Sequence, residues 1–350
     1  MPPFKPIAIC SGFAAVFLLG QPAAADDVGE FYKGKVVSFR VGFGAGGGYD
    51  VTARLVSKYL GAHIPGNPSI TVENMPGAGS MRLANYLYNV APKDGTVFGT
   101  FSSASILEPI VGNPGAKFEP AKFTWLGSMH TDLNSCGIWN GAGVGIKSFD
   151  DLVKTGKTIT FGSSGPQSTS SLWPLFMKNV FNAPIKVIGG YKGIKAITLA
   201  MSRGEVDAVC GLFESSLRGA YADEHRSGSL KIFLQVGLER KAPLFGDAAQ
   251  ILDTVKGKGE EMERIVRFVF GPTEITRPVA APPGVPGARA SALRKALMET
   301  MKDPGTVADG KKIGVDWEPM PGDVVEKKIV EIAATPKNVV EKAQKLTKTQ

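Results

Sequence analysis

Apolar Val37, Phe39, Val41 and Phe43 alternate with polar or small residues, the period of a half-buried strand. After a gap, Val51, Leu55, Val56, Tyr59 and Leu60 recur at helical spacing. The gap is a glycine loop, so the order is strand, loop, helix. The same order returns with a strand over 69–73, the loop 74–80 and a helix carrying Leu83, Leu87 and Val90. A third strand over 96–101 ends in the serine-rich stretch 102–105. After a Gly-, Pro- and Asn-rich segment from 108 to 120, short extended pieces at 125–128 and 135–139 lead into a second series. There, strands at 158–161, 185–188 and 205–210 alternate with helices over 172–182 and 194–203. A strand over 230–236 is placed to carry the chain back to the first unit, and the remainder reads as helices at 247–256, 259–269, 288–302, 322–333 and 336–347. Strands joined by helices predict parallel pairing, with ligands at the carboxyl ends of the strands.

Those ends carry the informative residues. Gly44, Gly46, Gly47 and Gly48 lack the Cβ atoms that would hold a ligand away from the backbone. Followed by a helix, they offer free amides and the positive end of the helix dipole to an anion. Asp50 caps that helix, contacts ligand, or does both. Ser163, Ser164, Ser168 and Thr169 form a second polar loop before a helix, where hydroxyls serve either as caps or as ligand donors.

The first 25 residues form their own pattern. Lys5 precedes an apolar run from Ile7 to Leu19 and a small-residue site at 23–25, which reads as a cleavable secretory signal peptide, placing the mature chain in the periplasm. Cys10 leaves with it. Cys136 and Cys210 then face an oxidising compartment and either pair or remain two buried thiols. The chain of 350 residues carries a net charge of +8, or +7 once Lys5 is removed, with no basic run. That speaks against nucleic acid and mildly for small anions. His63, His130 and His225 are isolated and read as surface or turn residues; no metal-ligand spacing or nucleophile elbow is present. No catalytic residue, metal or cofactor is expected.

Taken together, the run 41–50 (Val-Gly-Phe-Gly-Ala-Gly-Gly-Gly-Tyr-Asp) with Ala53, Arg54 and Leu55 resembles the first ligand loop of the substrate-binding receptors of tripartite tricarboxylate transporters, the Bug-type periplasmic proteins. So do 72–79 (Val-Glu-Asn-Met-Pro-Gly-Ala-Gly), 91–95, 161–165, 191–193, 204–207 and 280–286, in family order over nearly the whole mature chain. The resemblance implies an α/β, two-lobed, type II-like binding protein, each lobe a mainly parallel sheet flanked by helices. Its lobes would be 26–129 with 236–350, and 130–235, closing like a flytrap about hinge strands near 128–139 and 230–236. It implies a monomer that captures a small di-, tri- or aromatic carboxylate and delivers it to a two-subunit membrane permease. Ligand-binding positions carried over are Phe43, Gly44, Ala45, Gly46, Gly47, Gly48, Tyr49, Asp50, Ala78, Gly79, Ser103 and Ser105 in the first lobe. In the second they are Ser163, Ser164, Gly165, Ser168, Thr169, Tyr191 and Glu214, and the resemblance implies that 74–80 and 102–105 line the first lobe's wall and 191–193 and Phe213, Glu214 and Ser215 the second's. Taken singly, Glu214 reads as a paired or solvated carboxylate and Lys192 as a surface charge. The sequence departs from the family in its extra glycines, where proline is frequent, and in Tyr49 before the acid.

Two other readings compete. Gly42, Gly44 and Gly47 fit a dinucleotide fingerprint, with Glu73 as the ribose acid of an exported NAD-type oxidoreductase. A receptor of the same shape could instead report its ligand to a sensor kinase.

Overall fold

The computed structural model describes residues 28–140, 144–166, 168–238 and 240–348, so the signal-peptide reading of 1–25 lies outside the described residues. The strand and helix periods are realised in two mixed six-stranded sheets flanked by helices. The first contains β1 (Val36–Val41), β2 (Ser69–Asn74), β3 (Val97–Thr100), β4 (Thr124–Ser128), β11 (Pro278–Ala281) and β12 (Met320–Pro321), in the order β12-β4-β11-β3-β1-β2. The second contains β5 (Asn134–Trp139), β6 (Ile159–Gly162), β7 (Ile185–Ile188), β8 (Ala208–Phe213), β9 (Leu230–Val236) and β10 (Ala249–Gln250), in the order β10-β9-β5-β8-β6-β7.

Each sheet is built around a parallel trio, β2-β1-β3 and β7-β6-β8. Val37, Phe39 and Val41 of β1 are fully buried in one cluster with Ala53, Val56 and Leu60 of the helix Gly48–His63, which is the packing that the two sequence periods require. Both sheets are mixed, with most of their strands running one way. In the first, β11 runs antiparallel to both β3 and β4; in the second, β5 runs antiparallel to both β8 and β9. Both of these strands follow a crossing between the sheets.

The chain crosses between the sheets three times. It leaves the first through 129–133, returns through 271–277, and crosses again at 334–336. This differs from the expected return at 236. β10 pairs with β9, and Ile265, Val266, Phe268, Val269 and Phe270 of the helix Glu260–Phe270 bury against the second sheet's helices. The rings of Trp173 and Phe270 stack 5.3 Å apart. The last helix, Lys337–Leu346, also belongs to that core through Val339, Val340 and Ala343. Its apolar stripe finds the second sheet although the preceding helix, Gly322–Ala333, packs through Val325 and Ile329 on the first.

Cys136 and Cys210 stand opposite each other on β5 and β8 and are joined by a disulfide, Cα atoms 4.0 Å apart and both side chains fully buried. This resolves the alternative left open by the sequence. Among the described residues no helix is long and apolar enough to cross a membrane.

Candidate functional site

Three helices begin around one cavity of about 310 Å³ that lies between the two sheets. They are Gly48–His63 after β1, Thr169–Phe181 after β6 and Ile194–Ser202 after β7. Among the described residues, the first amides of each helix (Gly48 and Tyr49, Thr169 and Ser170, Ile194 and Lys195) have no acceptor, as geometry demands of a helix start. The two sides touch directly: the Gly44 amide donates to the Lys192 carbonyl at 2.9 Å, and the Gly79 amide to the Ser164 carbonyl at 3.2 Å. Lys192 and Lys195 line the cavity, and among the described residues no Asp or Glu does. At Gly46, φ is +78°, which favours glycine, and an added Cβ would lie 2.5 Å from the movable Lys195 ammonium nitrogen.

Asp50 neither caps the helix nor lines the cavity. The N-cap is Gly47, and Asp50, in the first turn and 2% exposed, reaches back so that one carboxylate oxygen accepts the Gly46 amide at 2.7 Å. Arg54 Nε donates to both carboxylate oxygens at 3.0 Å and Asn74 Nδ2 to the other one at 2.8 Å, while the same Asn74 nitrogen also donates to the Phe43 carbonyl at 2.9 Å. Burial opposes the charge, but the bonds from Arg54, Gly46 and Asn74 together outweigh it and hold the carboxyl below its ordinary range. Asp50 therefore braces the glycine loop from behind.

Of the positions expected to bind, Phe43, Gly44, Ala45, Gly47, Gly48, Tyr49, Ser103, Ser164 and Thr169 line the cavity. The others stand behind it. Ser105 bonds Ser80 at 3.2 Å; Ser163 bonds Ser171 at 2.6 Å; Ser168 donates to the Gly165 carbonyl at 2.9 Å. Gly79 and Gly165 meet at the seam between the units, where a Cβ on Gly165 would lie 2.4 Å from the Gly79 nitrogen. Ala78 borders a separate cavity of about 430 Å³. The Tyr191 amide donates to the Ser163 carbonyl at 3.2 Å and its ring packs on the second unit's core, while Glu214 is paired with Arg218.

Sequence reasoning had Phe213 and Lys192 lining the second unit's side and missed the rest of that wall. Lys195, Ala196 and Leu199 reach the cavity from the helix Ile194–Ser202, and Gly211 and Phe213 from the end of β8, which begins and ends three residues later than expected. The Asp207 carboxylate, held by the Thr160 amide at 2.7 Å and its hydroxyl at 2.6 Å, belongs to the lead-in to that strand. Ser102, Asn134, Ser170, Lys192, Gly193, Ile194, Ser216, Tyr221 and Thr273 complete the lining. The one available signal was helical: Lys195, Ala196 and Leu199 share a face one turn apart.

Below the floor lies a buried ionic group spanning two crossings. Arg277, 1% exposed, pairs with Asp132 at 3.2 Å, donates to Ser215 at 2.8 Å and lies 4.4 Å from the centre of the Phe213 ring. Its Nε and Nη1 have no partner. Burial pushes the Tyr49 phenol up to about 12, against the opposing pull of Arg277. His130, expected at the surface, is 6% exposed and accepts the Glu318 amide at 3.2 Å; burial brings it down to about 4.

The dinucleotide reading loses its two supports. A Cβ at Gly42 would meet Ser80 Cβ at 2.5 Å, so that glycine serves packing, and Glu73 pairs with Arg40 on the neighbouring strand at 2.6 Å.

No family model and no curated protein matches the chain. Solved structures do. Periplasmic binding protein BugD superposes with a TM-score of 0.70 at 18% identity, covering 90% of this chain and 98% of that one. A Rhodopseudomonas palustris protein with adipate gives 0.67 at 18%, covering 88% and 97%. MatC from the same organism with bound malate gives 0.64 at 16%, covering 90% and 99%. The fold of this chain is that of the Bug-type periplasmic binding proteins.

Proposed function

We propose that the chain is an exported solute receptor that binds a small organic carboxylate between its two units and presents it to a two-subunit permease of the tripartite tricarboxylate type. The observation that carries this is the convergence of three helix N-termini, from both sheets, on one cavity with two lysines and no acid. Each helix start contributes about half a positive charge, and a carboxylate there accepts bonds worth about 1.5–3 kcal/mol apiece. The reading is capture without conversion, and among the described residues no His, Cys, Asp or Glu lines the cavity.

The units that close are the two sheets with their helices, pivoting on 129–133 and 271–277. The Gly44–Lys192 and Gly79–Ser164 bonds seal the closed form. Malate and adipate in structures of the same fold support an acid as cargo. The signal-like start supports a periplasmic location, and the reading is of a monomer that hands its load to a membrane partner.

A thermal-shift screen of mono-, di- and tricarboxylates without added cofactor tests the reading. At a ligand concentration a hundred times Kd, stabilisation amounts to about 2.7 kcal/mol, a readily measured rise in Tm. A screen in which no acid raises Tm, or in which a nicotinamide nucleotide does so instead, overturns it.

A further inference from the structure

The walls of the cavity differ in chemistry in a way that specifies the body of the acid as well as its head. Phe43, Tyr49 and Phe213 form a continuous chain of rings, with centroids 4.6 and 5.7 Å apart, and all three line the cavity. Ile194 and Leu199 line it from the helix Ile194–Ser202. Phe213 is fixed from behind by the Arg277 guanidinium, so this wall is preorganised, and the Phe43 side chain lies 3.7 Å from the Cβ position of Gly193 in the other unit. At about 30 Å³ per water-sized group, about 310 Å³ holds on the order of ten non-hydrogen atoms.

We infer that the ligand is an aromatic carboxylate without an amino group: its carboxylate on the helix starts and its ring against Phe43, Tyr49 and Phe213. This rests on the carboxylate reading above. Ring-on-ring contact favours such a body over an aliphatic one. Among the described residues an α-ammonium has no counter-charge in the cavity lining. Lys192 and Lys195 repel it, Asp50 is committed to Gly46, Arg54 and Asn74, and Asp132 to Arg277 and Ser215.

Calorimetry on the full mature chain tests this with benzoate, phenylpropionate, phenylalanine, adipate and malate. Benzoate or phenylpropionate should bind at least about tenfold more tightly than adipate or malate, and phenylalanine at least about 100-fold more weakly than phenylpropionate, which differs from it only by the missing ammonium. Phe213→Leu should weaken the aromatic acids by about two- to tenfold while changing adipate less than twofold. Tyr49→Leu provides the same comparison if the Phe213 variant fails to fold. Aliphatic acids binding as tightly as aromatic ones, phenylalanine matching phenylpropionate, or equal losses for benzoate and adipate in the variants would each overturn the inference and leave the carboxylate receptor standing. No binding by any of the acids removes the receptor reading itself.

Discussion

Gly47→Val separates binding from folding at a single position. Gly47 has φ −81° and ψ 168°, a conformation open to any L residue, and an added Cβ would find its nearest neighbour, the Gly44 carbonyl oxygen, at 3.8 Å. The fold therefore loses only the preference for glycine over valine at an N-cap, up to about 1 kcal/mol. The ligand loses far more. The valine methyls project where an acid would approach the Gly48 and Tyr49 amides, and two charge-assisted bonds at about 1.5–3 kcal/mol each amount to about 3–6 kcal/mol, or about 10²–10⁴ in Kd. Gly46→Ala is the counterpart: with φ +78° and the Lys195 ammonium nitrogen 2.5 Å from the new Cβ, it costs about 1–2 kcal/mol of backbone strain and displaces the lysine. Circular-dichroism melts and calorimetry with the acid giving the largest thermal shift measure both variants. Gly47→Val binding within threefold of wild type would remove the first loop from the site. A stability loss at Gly47 as large as at Gly46 would refute the geometric argument.

Other expectations concern charge and cross-linking. His130 has its proton affinity lowered by burial to about 4, so its neutral form is favoured in the folded state; stability present above pH 6.5 should fall as pH drops from 6.5 towards 4, by up to about 3 kcal/mol. Urea titrations across that window should show the fall in wild type and a smaller one in His130→Gln. Glu108 acts in the opposite sense: 1% exposed, with Asn113 donating to it at 2.6 Å, it is raised by burial to about 7. Its contribution is complete below pH 4.5 and lost as pH rises to 7, so Glu108→Gln should be more stable than wild type at pH 8 by up to about 3 kcal/mol and indistinguishable from it at pH 4. Equal urea midpoints at pH 8 would contradict this. Replacing Cys136 and Cys210 by Ala opens a loop of 74 residues and should cost about 4.4 kcal/mol by chain entropy, read from urea midpoints of the oxidised wild type and the double variant.

Most of the scaffold was legible because it is written in local periods. The strand 230–236 was read to the residue, and the β1 pattern fixed which face meets the helix Gly48–His63. Helix starts were read late for a physical reason. Residues 48–50 and 169–171 are glycine, serine, threonine, tyrosine and aspartate, weak helix formers whose placement is decided by the loops they leave, so the apolar pattern begins a turn after the backbone does. That error mattered, since the free amides of those first turns are the proposed anion donors.

The return at 236 was illegible for a different reason. Whether the apolar stripe 265–270 covers one sheet or the other depends on partners such as Trp173, about a hundred positions away, and a stripe fits either sheet equally well by itself. The same holds for Val339, Val340 and Ala343, whose helix docks on the second unit while the preceding helix stays on the first. Such long-range choices also set the hinge: Arg277 reaches Asp132 only because the second crossing falls at 271–277, and that pair supports Phe213 beneath the cavity. Had the chain returned at 236, the residue at 277 would lie deep in the first unit, and the aromatic wall would lack the guanidinium that holds it. The placement of one crossing thus decides the chemistry of the floor, and Arg277→Leu, with Asp132→Asn to avoid an unpaired buried acid, should weaken aromatic acids while sparing the melting temperature more than Arg277→Leu alone. Thermal melts and calorimetry on the two variants measure this, and an unchanged affinity in the double variant would show that Phe213 needs no such support.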